Sequence, residues 1–515
     1  MPELVYTSLE DIEKIHEELR AGFRSGKLNS IEYRKYQLLQ IGYLVQENFE
    51  AFENALKADL GRPVLESRFV EINTCIGDAL KAYKNVEKWA KPEYPAFNIN
   101  FFAMKPTINK VPKGTVLIIA PFNYPLWLTI GPLVGAIAAG NTVLLKPSES
   151  TPAVSSLLAE LVPKYLDSDL VRVVNGAVAE TSKILELQWD HILYTGSGRV
   201  GKIVATAAAK HLTPVSLELG GKSPVIVDPT CDLQTATRRI LWGKCTNAGQ
   251  TCVAPDYILV PRSFQNTFIE ALTKTYNEFF PSDAKPSDPD NFARMVTPQA
   301  FNRVKSLLDA TKGTVVLGGE TDAATKFIAP TIVKDVLPDD SLMSDEIFGP
   351  ILPIVAVEDI DEAIRFVNSR DHPLALYVFT QDQAVKDRVF RNTQSGAYSV
   401  NEVVIHTGVD GLPFGGTGPS GYGEHTGKFS FDMFTHLRSS IDSPSWVDAI
   451  LKFRYPPYTA KKLKATENFK VKLPAKPKGP PNVASSGSRL NKWFVFALAV
   501  AVAAGLTKRA RALIA

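Results

Sequence analysis

Residues 114–149 read GTVLIIAPFNYPLWLTIGPLVGAIAAGNTVLLKPSE. The run Thr115–Ala120 is short, apolar and β-branched, and PFNYP ends it, so it reads as a buried strand followed by a turn. PLWLTIGPLVGAIAAG reads as a helix ended by Gly140, and NTVLLKPSE as a second short buried strand. Strand, helix and strand in that order predict a parallel pair. VRVVNG (171–176) and HILYTG (191–196) repeat the pattern, with helices between them. After residue 220 a second such region follows. VIVDP, DYILVP, FIAPTIV and PILPIVAV read as strands, and SFQNTFIEALTKTYNEFF and DEAIRFVN as helices. The fold class is therefore α/β, with sheets covered on both faces. Ligands of such sheets bind at the carboxyl ends of the strands, where PFNYP, KPSE and TGSG lie.

Upstream, Leu9, Ile12, Ile15, Leu19 and then Leu38, Ile41, Leu44, Val45, Phe49 recur at helical spacing, which predicts two amphipathic helices within 8–58. NINFFAMKPTINKVP (98–112) reads as a hairpin arm around its Lys-Pro break. GGTGPSGYGEHTG (415–427) reads as irregular.

The chain has 515 residues, 45% hydrophobic and 22% charged, a composition ordinary for a globular protein of two or three domains. Its four cysteines, Cys75, Cys231, Cys245 and Cys252, form no CxxC pair, and they are too few for a disulfide framework. Neither a metal site nor a secretory signal is expected. The net charge of +3 is unevenly spread. From Leu451 to Ala515, 14 Lys and Arg stand against one acidic residue, Glu467, so that segment carries +13 and leaves −10 on residues 1–450. A basic tail on an acidic body suits an anionic surface. A membrane is favoured over nucleic acid, because VKLPAKPKGPPNVASSGSRLNK (471–492) reads as a flexible linker leading to Trp493–Leu506, fourteen uncharged residues flanked by Lys492, Lys508 and Arg509. As a helix that run spans ~21 Å, short of a ~30 Å hydrocarbon core, with flanking basic residues able to snorkel and Trp493 at the interface. A tail anchor with the body facing the cytosol is expected. The mitochondrial outer membrane is favoured, with the endoplasmic reticulum, peroxisome or lipid droplet as alternatives.

Residues 196–201, GSGRVG, fit GxGxxG between a strand and a helix. Read literally, Glu218 would then bind a ribose. HILYTG is not the first strand of its sheet, however, and the motif alone is weak. Four further stretches stand out: LELGGKSP with Glu218, GQTCVAPDY with Cys252, APFNYP with Asn123, and DEIFGP with Glu346 and Phe348. Taken singly, they also read as an ion-paired carboxylate, a packed cysteine, a capping asparagine and a core phenylalanine.

Together with KPSE and TGS, and in this order, these stretches resemble the aldehyde dehydrogenase superfamily. CVAPDYILVP, EIFGPILPI, PLALYVF, NEVVIH and LPFGGTGPSGYGEHTGKFSFDMFTH are similar to its class 3, or fatty aldehyde dehydrogenase, branch, and the resemblance covers residues 5–450. It implies a Rossmann-like NAD-binding domain with the N-terminal helices (1–220, arm 98–112), a catalytic domain (221–400), a bridging and oligomerisation segment (401–450), a basic linker (451–492) and the anchor (493–506). It implies Cys252 as the nucleophile, Glu218 as the general base for thioester hydrolysis, and the Asn123 amide with the Cys252 N–H as the oxyanion hole. For NAD it implies Lys146 and Glu149 on the adenosine ribose, Gly196 and Ser197 at the pyrophosphate, Glu346 on the nicotinamide ribose and Phe348 beside the ring. Glu149 should disfavour a 2′-phosphate. Cys245, Cys75 and Cys231 read as packing residues. The sequence departs from the branch at Ala248, where a serine is common.

The resemblance further implies a homodimer and a long-chain fatty aldehyde as substrate. An apocarotenoid aldehyde is the second substrate reading. An inactive membrane-anchored scaffold would lack Cys252, Glu218 or Asn123, and all three are present. A member that passes its acyl group to coenzyme A is disfavoured by the presence of Glu218.

Overall fold

In the computed structural model, which describes residues 4–469, 471–477 and 479–480, the strand Thr115–Ile119 lies near the centre of a six-stranded sheet. It runs parallel to Thr142–Lys146 on one side and to His191–Thr195 on the other. Val171–Val173 extends the first edge and Val215–Glu218 the second, and Gly421–Tyr422 closes the sheet antiparallel to Val215–Glu218. Alternate residues of the central strands face opposite clusters. Val116, Ile118, Val143 and Leu145 pack with the helices Ile31–Glu47, Trp127–Ala139 and Pro152–Tyr165, whereas Leu117, Ile119 and Leu144 pack on Ile12, Ile15, Leu19 and Val204. Burial on both faces explains the continuous apolar runs. Each such aliphatic side chain contributes ~1.5–3 kcal/mol relative to exposure. Gly140 ends the helix Trp127–Ala139 at φ +97°, its N–H returning to the carbonyls of Ala136 and Ile137.

A second, seven-stranded sheet has the order Ala397–Val400, Ala375–Phe379, Pro224–Val227, Tyr257–Pro261, Ile351–Val357, Thr331–Lys334, Thr314–Leu317. All its pairs are parallel except the last. Glu218 ends a strand of the first sheet and Pro224 begins one of the second, so LELGGKSP crosses between them.

Several expectations are corrected. The N-terminal segment forms three helices, Leu9–Arg24, Ile31–Glu47 and Phe49–Leu60, because Asn48 (φ −112°, ψ 26°) breaks the second periodic run. Segment 98–112 is not a self-contained hairpin. Phe102–Met104 is a 3₁₀ turn, and the strand Thr107–Pro112 pairs antiparallel with Thr435–Ser440, more than 300 residues on. The Gly-rich 415–427 stretch supplies the edge strand Gly421–Tyr422. FIAPTIV divides into Phe327–Ile328, which pairs with Thr321–Asp322, and Thr331–Lys334.

Residues up to Ile441 form one unit and those from Asp442 a second, so the division falls inside the expected 401–450 segment. Within the second unit, Asp448–Leu451 and Ala460–Ala465 are short helices, where a flexible linker from 451 was expected. The anchor reading of 493–506 lies outside the described residues. Among the described residues no helix is long and apolar enough to cross a membrane.

Candidate active site

The carboxyl edge of the first sheet collects the expected residues. The pairings Ile119↔Lys146, Ile119↔Tyr194 and Thr195↔Glu218 bring PFNYP, KPSE, TGSG and Glu218 to one level. Cys252 arrives from the second region. The helix Leu233–Cys245 ends in a tight turn, Thr246–Gly249, in which Asn247 (φ 55°) and Ala248 (φ 52°) are both left-handed. Such backbone is costly for non-glycine residues and persists where surroundings fix it. Here Asn247 Nδ2 donates to the carbonyls of Asn123 (2.8 Å) and Gln250 (3.0 Å), and Gln250 Nε2 donates to the carbonyl of Arg294 (3.0 Å).

Cys252 and Glu218 line one cavity of about 310 Å³. Its wall is mainly apolar, with Phe69, Trp127, Leu128, Trp242, Val404 and Phe414. It reaches the surface at Phe69 (58% exposed) and Val409 (46%). Burial, reinforced by Glu346 and Glu218, pushes the Cys252 thiol up and keeps it protonated. Burial, with Glu424 adding to it, holds the Glu218 carboxyl well above the usual carboxylate range. Among the described residues neither Glu218 carboxyl oxygen has a hydrogen-bond partner. Asn123 is buried beside Tyr124, which lines the cavity and whose hydroxyl lies 2.7 Å from Thr251 Oγ1, next to Cys252.

The residues expected to hold a cofactor stand outside the cavity wall, Lys146, Glu149, Gly196 and Ser197 along the carboxyl edge of the first sheet and Glu346 and Phe348 in the loop before Ile351–Val357. Lys146 Nζ donates to Glu149 Oε2 at 2.8 Å. A side chain at Gly196 would strike the Tyr194 hydroxyl at 2.3 Å, whereas Gly198 borders open space. Ser197 Oγ accepts the Val200 N–H (3.5 Å) and caps the helix Gly198–Ala209, whose N-terminus thus opens at the strand ends. A helix N-terminus with so little side-chain bulk fits a pyrophosphate. Glu346 lies against Gly220, where an added Cβ would fall 2.2 Å from its Oε2, and the Gly221 N–H bonds to it. Burial, with Asp256 adding to it, raises the Glu346 carboxyl to about 8. Its loop is tied down by Asp256, which accepts the Ile347 N–H (3.2 Å) and pairs with Lys222 (2.7 Å). Phe348 meets the Phe122 ring edge-on at 5.7 Å, joining EIFGP to PFNYP. The donor set fits a dinucleotide: a carboxylate for a ribose at each end and a small-residue helix terminus between. Among the described residues no cluster of His, Cys, Asp or Glu could hold a metal.

Sequence reasoning missed the support beneath this site. Arg62 and Glu71, fully buried, reach Asn123 and the helix after it. Asn247 holds the loop that precedes GQTC. Its left-handed turn has no local sequence signal beyond the asparagine, and Arg62 has none.

The model of the aldehyde dehydrogenase family matches residues 3–440. The rat aldehyde dehydrogenase family 3 member A2 is 45% identical over 461 residues, 90% of this chain and 94% of that protein. The rat protein named "Aldehyde dehydrogenase, dimeric NADP-preferring" is 46% identical over 442 residues, covering 86% of this chain and 97% of its own. Among solved structures, Staphylococcus aureus AldH in its substrate-bound state superposes with a TM-score of 0.86 at 40% identity, covering 89% of this chain and 99% of that one.

Proposed function

The chain belongs to the aldehyde dehydrogenase family, and from that premise we propose that it oxidises a long-chain apolar aldehyde to the carboxylic acid through a thioester on Cys252, with NAD as oxidant. The single observation that carries the reading is the shared cavity: a thiol and an unpaired carboxyl face one apolar slot open to the surface.

The residues have distinct tasks. Cys252 Sγ, its proton released to water entering the slot, adds as the thiolate to the aldehyde carbonyl, giving a thiohemiacetal whose oxyanion takes hydrogen bonds from the Asn123 side-chain amide and the Cys252 N–H. Lys146, Glu149, Gly196, Ser197 and Glu346 would hold the dinucleotide, with Phe348 beside the ring. When bound, the nicotinamide supplies the hydride acceptor. Glu218 takes a proton from water, which attacks the thioester carbonyl and frees the acid and the thiol. Desolvation keeps both the thiol and Glu218 neutral deep in the slot. Water admitted beside Cys252 and Glu218 stabilises the anion each step requires.

The apolar wall supports the substrate reading. Each methylene buried along it contributes ~0.8 kcal/mol, so kcat/KM should rise about fourfold per added CH₂ until the slot is filled. NADH formation with hexadecanal, a short aldehyde and an apocarotenal in parallel tests this. Preference for hexadecanal supports the reading, and preference for the short aldehyde sinks it. A preference for the apocarotenal moves the enzyme to carotenoid-acid synthesis.

The name of the rat relative, "dimeric", supports a homodimer. So do the exposed apolar side chains around the paired arm: Tyr94, Phe97, Ile99, Leu437 and Ile441. The uncharged run Trp493–Leu506 between basic residues supports a membrane tail, with the body in the cytosol and the mitochondrial outer membrane favoured. Removal of residues 490–515 should free active enzyme from membranes after alkaline wash. A truncated protein that still pellets rules the tail out.

A further inference from the structure

Asn123 is held by its backbone carbonyl, and one of the two groups that hold it is an arginine remote in sequence. Gly61, left-handed at φ +59°, caps the helix Phe49–Leu60 and turns the chain inward. Arg62 follows and is completely buried. Its guanidinium divides its donors three ways. Nη1 donates to Glu71 Oε2, Nη2 to the carbonyl of Asn123, and Nε to Asn247 Oδ1 at 3.3 Å. Its plane lies over the Tyr124 ring, 4.9 Å from the centroid. The second donor to the Asn123 carbonyl is Asn247 Nδ2.

Glu71 seats this arginine and has a second task. Its other oxygen, Oε1, accepts the N–H groups of Leu126 (2.6 Å) and Trp127 (3.0 Å), at the start of the helix that follows PFNYP. Glu71 lies in a π-helical turn, Arg68–Ile72, and such turns recur at functional sites. Glu66 Oε1, 3.9 Å from Arg62 Nε, accepts the Asn247 N–H as well. Arg62 and Glu71 therefore touch both halves of the expected oxyanion hole: the loop that carries the Asn123 amide and the turn that leads to the Cys252 N–H. The planar, five-donor fork of arginine serves a carboxylate, a carbonyl and an amide oxygen at once in a fixed geometry, where the single ammonium of a lysine would have to reach all three from one point.

We infer that Arg62, seated by Glu71, is a positioning residue for thiohemiacetal formation, fixing Asn123 against the nucleophile loop. The inference rests on the reading of Asn123 as an oxyanion donor. Arg62 itself lines neither the cavity nor the cofactor edge, so it acts on the acylation rate and leaves cofactor affinity in place.

The test is a double-mutant cycle on the full chain, reading the pre-steady-state NADH burst with octanal at saturating NAD. Arg62→Met should slow the burst by about 10²-fold, the scale of an ångström's misplacement, while KM for NAD stays within about twofold. Asn123→Ala should slow it comparably. Because Arg62 acts through Asn123, adding Arg62→Met to Asn123→Ala should cost less than about another twofold. If Asn123→Ala is slow and Arg62→Met still costs its full factor on that background, the positioning inference is overturned. An unchanged burst in Arg62→Met overturns it too. An Asn123→Ala burst at the wild-type rate instead removes the oxyanion reading beneath it. Should Arg62→Met fail to fold, Arg62→Lys keeps the charge beside Glu71, loses the fork, and enters the same cycle under the same criteria.

Discussion

Glu218 and Cys252 line the same cavity, and both carboxyl oxygens of Glu218 lack any hydrogen-bond partner among the described residues. A buried carboxyl that stabilises nothing in the folded core is costly. The arrangement makes sense for a group whose partner is a transient water beside the nucleophile.

Separation of the two steps follows. Cys252→Ala should abolish NADH formation altogether. Glu218→Gln should leave the first-turnover NADH burst within about tenfold of wild type and cut steady-state turnover by about 10²–10⁴-fold, the range for loss of a general base. Stopped-flow absorbance at 340 nm, with acyl-enzyme trapped for mass spectrometry, reads both. A Glu218→Gln variant that turns over normally rules out the base assignment. In the wild type, Glu218 is competent only when ionised and its carboxyl is held above the ordinary 4.5. Turnover limited by hydrolysis should therefore rise with pH through a value above 4.5, and Glu218→Gln should lose that limb.

The buried carboxyls also set a pH dependence of stability. Burial raises Glu66 from an ordinary 4.5 to about 7 and Glu346 from 4.5 to about 8. Between those values the folded chain binds protons that the unfolded chain has released, so stability falls as pH rises. Their contribution is complete below about pH 4.5 and lost by about pH 8. Above about pH 6.5, where the buried neutral histidines no longer oppose this trend, the cofactor-free protein should show a falling Tm up to pH 8.5, and Glu346→Gln should flatten that fall. A Tm that rises across this window contradicts the assignment.

Glu149 makes the cofactor preference testable. Its carboxylate pairs with Lys146 at 2.8 Å yet remains 41% exposed in its side chain, at the edge where a ribose would lie. A 2′-phosphate brought there meets like charge. Glu149→Gln should improve kcat/KM for NADP by about tenfold or more, corresponding to ~1.4 kcal/mol of repulsion removed, with a smaller loss for NAD. Steady-state kinetics with both cofactors decide it, and unchanged selectivity removes Glu149 from the ribose site.

Much of this site is legible in the sequence because its residues sit at strand ends. The runs TVLII, TVLLK and HILYT alternate between two buried faces, so their carboxyl ends had to form one edge. Lys146 and Gly196 belong to that edge by pattern alone, whereas Glu218 arrives on the strand Val215–Glu218, which sequence reasoning did not place. The strand partner of Thr107–Pro112 does not follow in this way, because register with Thr435–Ser440 is a long-range choice that no local pattern records. Arg62 stays hidden for the same reason. Its meaning lies in Glu71, Asn123 and Asn247, which only the packed chain brings within reach. The break at Asn48 escapes the sequence because helical periodicity continues across it.

Trp127 supplies a wall of the cavity whose removal has a readable consequence. Its indole N–H donates to Asp78 Oδ2 at 3.1 Å, and its ring meets Tyr124 edge-on at 6.4 Å. It also borders a small gap of about 10 Å³, lined by Gly131, Gly135 and His425. Trp127 and Leu128 line both spaces. Trp127→Ala should merge the two and lengthen or widen the slot. Short aldehydes would then pack poorly against the wall, and their kcat/KM should fall about tenfold, at ~0.8 kcal/mol for each methylene left without apolar neighbours. Longer or bulkier chains should keep or gain efficiency, moving the optimum upward by several carbons. The chain-length series run on both proteins checks this. An optimum that does not move shows that the acyl chain takes another path out of the cavity, past Trp242 and Phe414.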